Sequence, residues 1–246
     1  MVLLYVLLVL LATNTSFQSL AVEHLEQGKR LYWTHCTDSV ERSAEGRREA
    51  LNELQKAVQL DPNLAEAHLY LGKPYRCMAA DNERFADATA KAIEHLHLAV
   101  QLAPSDPVMH YELAASLNPE TDKMEMISEL RTAMQLFEQG LNQRARTTPS
   151  YRDYHAEVVW LLGQILAQED QTLEEGVELM KRAIAKIDNP DLTRSKRGRL
   201  AGLLMEKGRY REALQWYETL LPSHDIEKII IPDLKKKIEQ QKQKNN

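Results

Sequence analysis

Small and apolar residues recur along this chain with helical spacing and are repeatedly cut off by proline. In EALNELQKAVQLDP, which begins at Glu49, Ala50, Leu54 and Ala57 fall on one helical face and Pro62 ends the run. KAIEHLHLAVQLAP, beginning at Lys91, repeats the pattern with Ala92, Leu96, Ala99 and Pro104, and shares seven of its fourteen residues with the first stretch. Between the two lies LAEAHLYLGKPY, where Leu71, Gly72 and Tyr75 offer a large, a small and an aromatic packing group on a preceding helix. The alternation predicts helix hairpins. Small residues at Gly72 and Ala99 let paired helices approach, and proline, with no amide hydrogen to donate, stops each second helix. Apolar runs broken by Pro or Gly at such short intervals do not sustain coiled-coil heptads.

The same marks return further along. Leu113-Ala114, Leu117, Leu130 and Ala133 lie between Pro107 and Glu138, with Met126 where alanine is expected. Leu162-Gly163, Leu166, Gly176, Met180 and Ala183 follow, one residue out of register. Leu200, Ala201 and Leu204 precede GRYREALQWYETLL, which carries Gly208, Tyr210, Ala213 and Tyr217. Upstream, Gly28 and Leu31 mark a first unit. These residues resemble the tetratricopeptide repeat, whose signature is a Leu-Gly pair, a later aromatic, an Ala, an aromatic or Leu four on, and a Pro. The resemblance covers Glu23 to Leu221 in five units. The equivalent positions Ala50, Ala92, Met126, Gly176 and Ala213 are separated by 42, 34, 50 and 37 residues, so one interval has the family's period. Extra residues fall around THCTDSVERS, CMAADNERF and FEQGLNQRARTTPSYRDY.

The resemblance implies an all-α fold in which hairpins stack into a right-handed superhelix and first helices line a concave groove. Groove side chains stand three before and one after the small residue of each first helix. That rule picks out Leu69 and Lys73, Tyr111 and Ala115, and Trp160 and Gln164, with Arg199 nearby. Lys73, Tyr111, Trp160, Gln164 and Arg199 are the expected contacts to a peptide segment or helix of a protein partner; Tyr, Trp and Arg often dominate binding energy. Trp160 and Tyr111 equally suit packing between helices. The carboxylate clamp of chaperone-binding repeats is missing, because Leu25 and Lys29, Tyr70, and Val108 with Glu112 occupy its positions. Cys36 and Cys77, the chain's two cysteines, sit in the extensions of neighbouring first helices. Counted from Gly28 and Gly72 they are offset by three residues, about 4.5 Å of rise, so a disulfide forms only if their Cβ atoms point at each other. Two buried thiols are the other reading.

Composition agrees with helix: Ala, Leu, Glu, Gln and Lys are abundant, with nine Gly, nine Pro and three Phe among 246 residues. The net charge of −5 is unevenly spread, since Asp191–Asn246 carries 13 Lys and Arg against 8 Asp and Glu, or +5, leaving −10 elsewhere. The first charged side chain is Glu23, and Met1–Ala12 is an unbroken apolar run. A membrane span takes about 20 apolar residues, whereas a signal-peptide core takes about 7–15. Ser19-Leu20-Ala21 offers small residues for cleavage after Ala21, although no Lys or Arg precedes the run. The expected organisation is a signal peptide or short anchor at 1–21, a repeat domain at 22–222 and a basic helical tail at 223–246. The expected location is the secretory pathway or another extracytoplasmic site.

Motifs of chemistry are absent from the sequence: there is no GxSxG, GxxxxGK, HExxH or CxxC. His95 and His97, two apart, point to different sides of a helix and make a poor metal chelate. His68 and His110 occupy large-residue positions on first helices and are expected to pack there. The basic stretch LTRSKRGRLAGLLMEKGRYR lacks interleaved aromatics on one face, which argues against a nucleic-acid partner. The tail KKKIEQQKQKNN is expected to be a solvated helix, inert or an electrostatic tether to a membrane surface. No catalytic residue, metal or cofactor is expected. The reading is a non-catalytic protein-binding scaffold; the competing one is a helical enzyme or cofactor-binding protein that uses the insertions.

Overall fold

The computed structural model describes residues 2–37, 43–81, 86–140 and 149–244, with backbone alone for 2–16, 37, 77–81, 86 and 149–151. The described residues form eleven α-helices and no strand: α1 (Val2–Tyr32), α2 (Ala44–Leu60), α3 (Ala65–Asp81), α4 (Ala86–Leu102), α5 (Pro107–Ala114), α6 (Lys123–Gly140), α7 (Pro149–Leu166), α8 (Leu173–Lys186), α9 (Pro190–Glu206), α10 (Tyr210–Glu218) and α11 (Ile231–Lys244). Two compact units result, Met1–Gln139 and Gly140–Asn246.

In the first unit α1, α3 and α5 are first helices, paired with α2, α4 and α6. The proline stops act as expected: α2 ends at Leu60 just before Asp61-Pro62, and α4 at Leu102 just before Ala103-Pro104. Helix starts are capped where sequence allows. The Ser43 hydroxyl accepts from the Gly46 amide at 2.9 Å, and the Asp106 carboxylate from the Val108 amide at 2.9 Å, beside a proline at the first helical position. Ala50, Leu54 and Ala57 of α2 are fully buried, and Leu54 packs with Leu25, Leu71 and Ala92 in one core. Gly72 shows why the small position is small: a Cβ there would lie 2.7 Å from Leu96 Cγ and 3.2 Å from the Ala92 carbonyl oxygen.

In the second unit α7 pairs with α8, and α9 with α10. Here two glycines face one another. A Cβ on Gly163 would sit 2.8 Å from the Gly176 carbonyl oxygen, and one on Gly176 would sit 2.4 Å from the Ala167 amide nitrogen. Backbone meets backbone at this crossing, so no side-chain adjustment can make room. Leu162, Met180 and Ala183 fill the space beside it. Ala213 and Tyr217, the repeat marks of α10, are buried against α9.

One expectation meets a different outcome here. The C-terminal tail is helical but not freely solvated: Leu234 is fully buried and Ile231 and Ile238 nearly so, where α11 packs on α10. Gln241 donates to the Gly208 carbonyl at 3.0 Å, and Lys237 stands over the Tyr210 ring. Its four-residue apolar spacing at 234 and 238, hidden among lysines, covers the open side of the last hairpin. At the other end of the chain α1 is continuous from Val2 to Tyr32, and Ala21 is fully buried. Among the described residues no helix is long and apolar enough to cross a membrane.

Candidate partner-binding surface

Successive first helices of the first unit are tied by a run of ion pairs. Lys29 on α1 reaches Glu66 on α3 at 2.8 Å and Glu26 at 2.8 Å, with its ammonium 5.2 Å from the Tyr70 ring centre. Burial pulls the Lys29 ammonium down, but the hydrogen bonds to Glu26 and Glu66 outweigh it and hold it above the ordinary lysine range. Lys73 places its ammonium 5.1 Å from the centre of the same Tyr70 ring and pairs with Glu112 of α5 at 2.8 Å. Arg76 joins the same carboxylate at 3.2 Å. Lys73 and Glu112 are 5 % and 4 % exposed, so this pair is shielded from water, and losing Glu112 would strand the buried Lys73 charge. Tyr32 lies edge-on to Tyr70 and to Trp33, whose indole is half exposed.

The second unit has a shorter version. Lys196 on α9 reaches Glu157 on α7 at 2.9 Å, and its ammonium lies 4.6 Å from the centre of the Trp160 ring. Trp160 is 2 % exposed. On the far side of the hairpins Arg209 grips Glu212 through two parallel hydrogen bonds of 2.6 and 2.7 Å and reaches Glu174 on α8 at 2.9 Å. The Arg209 hydrogen bonds, opposed by burial, hold the Glu212 carboxyl below the usual carboxylate range.

The expected groove residues therefore divide by depth. Tyr111 and Gln164 are half-buried and Arg199 is exposed on first helices, where a partner can touch them. Lys73 and Trp160 lie beneath that layer, covered by Tyr70 and Glu112 in one unit and by Lys196 in the other. They position neighbours instead of presenting themselves. Cys36 is buried, but the Cys77 side chain lies outside the described residues, and the proposed disulfide with it. The three insertions offered to the competing enzyme reading lie partly outside them too.

Sequence reasoning missed the ion-pair run, although a signal was present: a lysine follows the small residue in both of the first two units, at Lys29 and Lys73. It placed His68 and His110 correctly between helices and separated His95 from His97. His95 faces His68, whereas His97 turns to Glu125 of α6 at 3.4 Å.

Comparison with known proteins agrees with this architecture. A family model of the TPR repeat matches residues 48–75, the end of α2's hairpin and the start of the next. Solved structures of the same architecture match most of the chain. The chain has the fold of tetratricopeptide-repeat proteins. One similar structure is that of pilF of Pseudomonas aeruginosa, 16 % identical, with 84 % of this chain and 74 % of that one covered at a TM-score of 0.53. Another is a putative kinesin light chain of Podospora anserina with nearly identical TPR-like repeats, 17 % identical over 84 % and 92 % of the two chains, TM-score 0.52. No curated protein matches the sequence. At such identities the likeness is one of fold, so the partner of this tetratricopeptide-repeat array has to be argued from its own side chains.

Proposed function

We propose that this chain is a non-catalytic scaffold which holds a peptide segment or helix of a partner protein along the first helices of its repeats. The observation that carries this reading is the continuity of the first-helix face. Lys29–Glu66 and Lys73–Glu112 link α1 to α3 and α3 to α5 side by side, giving an extended surface that no single hairpin has. Aromatic side chains stand within a partner's reach in this first unit: Trp33 is exposed, and Tyr70 and Tyr111 are half-buried. Arg199 adds an exposed cation on α9. Aromatic and arginine side chains are the types that most often anchor protein interfaces.

Photocrosslinking tests the surface directly. A photoreactive residue at Tyr111 should capture one saturable protein partner in the native source, while the same group at Met124, exposed on the second helix α6, should not. Equal capture at both positions, or cofactor retained on the purified chain with no protein captured, would count against the scaffold.

We further propose an extracytoplasmic or membrane-facing location. The uncharged stretch Met1–Val22 supports it. The stretch suits either a leader cleaved after Ala21 or a retained anchor. The mass of the mature chain decides between them: a protein beginning at Val22 supports the cleaved leader, one beginning at Met1 in the membrane fraction the anchor.

A further inference from the structure

Three hairpins of the first unit carry the same polar clasp at equivalent positions, and the middle copy differs from its neighbours. A histidine stands four residues before the small residue of each first helix: His24 before Gly28, His68 before Gly72, His110 before Ala114. Its partner stands three residues after the small or Met position of the second helix: Glu53, His95 and Glu129. His24 Nδ1 lies 2.6 Å from Glu53 Oε2, and His110 Nδ1 lies 2.6 Å from Glu129 Oε2. In the middle hairpin His68 Nδ1 lies 3.1 Å from His95 Nδ1 instead. The outer ring nitrogens of His68 and His110 match as well: His68 Nε2 is 3.0 Å from the Pro62 carbonyl and His110 Nε2 is 2.9 Å from the Pro104 carbonyl.

These distances assign the protons. A carbonyl oxygen only accepts, so His68 Nε2 carries hydrogen and donates to Pro62, which leaves Nδ1 of the neutral ring as an acceptor. His95 must then donate from its own Nδ1. The middle clasp holds with one shared proton and two neutral rings. In the outer clasps an additional ring proton finds a carboxylate waiting for it. In the middle one a first extra proton, on His95 Nε2, leaves the shared hydrogen bond in place, and a second, on His68 Nδ1, sets two N–H donors and two like charges against each other across 3.1 Å.

We propose that the His68–His95 pair is an acid-sensitive joint, which loosens the α3–α4 hairpin under mild acid while the His–Glu clasps on either side stay closed. Charged groups of both signs stand near the pair. From α3, the Tyr75 ring stacks on His95 at 6.0 Å between centroids, and its hydroxyl accepts from Gln55 of α2 at 3.1 Å. From α4, Lys91 and Glu94 act in opposite senses on His95. Among the described residues no charged group of α5, which also packs on α4, is among those that act on it. Burial, and then the neighbouring His68, push the His95 imidazole below the ordinary histidine range. Glu53 remains a carboxylate under these conditions, because the Lys56 hydrogen bond, opposed by burial and aided by His24, holds it below the usual range. The device would tie the shape of the central repeat, and with it the first-helix face, to the acidity of the compartment.

Hydrogen exchange of the full chain at pH 7.5 and 5.5, corrected for intrinsic rates, tests it. Peptides of α3 and α4 should lose about tenfold in protection on acidification, the effect of one like-charge contact, and those of α5 and α6 about twofold or less. His95→Glu rebuilds the flanking clasp and should abolish the loss. His95→Gln, which donates without charging, should do the same. Ring nitrogen shifts of the wild-type protein at pH 7 give a reading free of substitution: His68 should carry hydrogen on Nε2 and His95 on Nδ1. Unchanged protection in α3 and α4, an equal loss in all three hairpins, the opposite tautomers, or acid loss that persists in both variants would overturn the proposal.

Discussion

The two units hold the same kind of hairpin together by different means. In the first, the helices of each pair and the neighbouring first helices are joined by polar contacts: three histidine clasps, the Lys29–Glu66 pair and the buried Lys73–Glu112 pair. In the second, α7 and α8 meet through two glycines, backbone on backbone, with Leu162, Met180 and Ala183 around them, and the last hairpin is sealed by an apolar stripe of α11. Polar joints specify geometry and respond to conditions, because each depends on a protonation state and on a partner being present. Glycine and apolar joints respond mainly to volume. The first unit should therefore be the one that acid and charge substitutions affect, and the second the one that steric substitutions affect.

The comparison breaks most visibly at its charged end. Glu112→Ala leaves Lys73 buried without its counterion and should cost the first unit about 3–5 kcal/mol, read as loss of exchange protection in α3 and α5 with α7–α10 unchanged. Equal loss in both units would show that they fold as one. Gly163→Leu has the converse pattern: it should cost the second unit about 3 kcal/mol by overpacking, since the atoms it meets belong to the backbone. Leu234→Ala should remove about 2–3 kcal/mol from the α10–α11 end in urea unfolding. An unchanged midpoint would return α11 to the status of a loose tail.

A smaller difference comes from pH. The folded His95 ring binds fewer protons than an unfolded one, so its share of stability is whole above the ordinary histidine value of 6.5 and falls as the pH descends from there toward the folded value. The first unit should lose protection over that interval, and the second, with Glu212 held ionised by Arg209, should change less. The smallest effect on folding belongs to the surface. Arg199→Ala should leave stability within about 0.5 kcal/mol of wild type while weakening partner binding by about 1–2 kcal/mol in titration calorimetry.

Much of the architecture was legible in the order of residues. Ala50, Ala92 and Ala213, with their small counterparts at Gly72 and Ala201, mark helix crossings because a crossing admits little beyond a hydrogen or a methyl. Pro62 and Pro104 end helices wherever they occur, for want of an amide hydrogen. Such signals are local, set by a residue's own bulk or backbone, and they survive insertions between repeats. What a side chain does once the helices have met is a different matter. The rule of spacing brought Lys73 and Trp160 to the first-helix face, but only packing decided that Glu112, 39 residues away, and Lys196, 36 residues away, would cover them. It likewise decided that Leu234 and Ile238, scattered among lysines, would close the last hairpin, and that His68 would meet a histidine where its counterparts meet a glutamate. The helices and their ends follow from residues a few positions apart, so the chain determines them by itself; depth, charge pairing and proton placement depend on groups distant in sequence, and only the tertiary structure brings those within range.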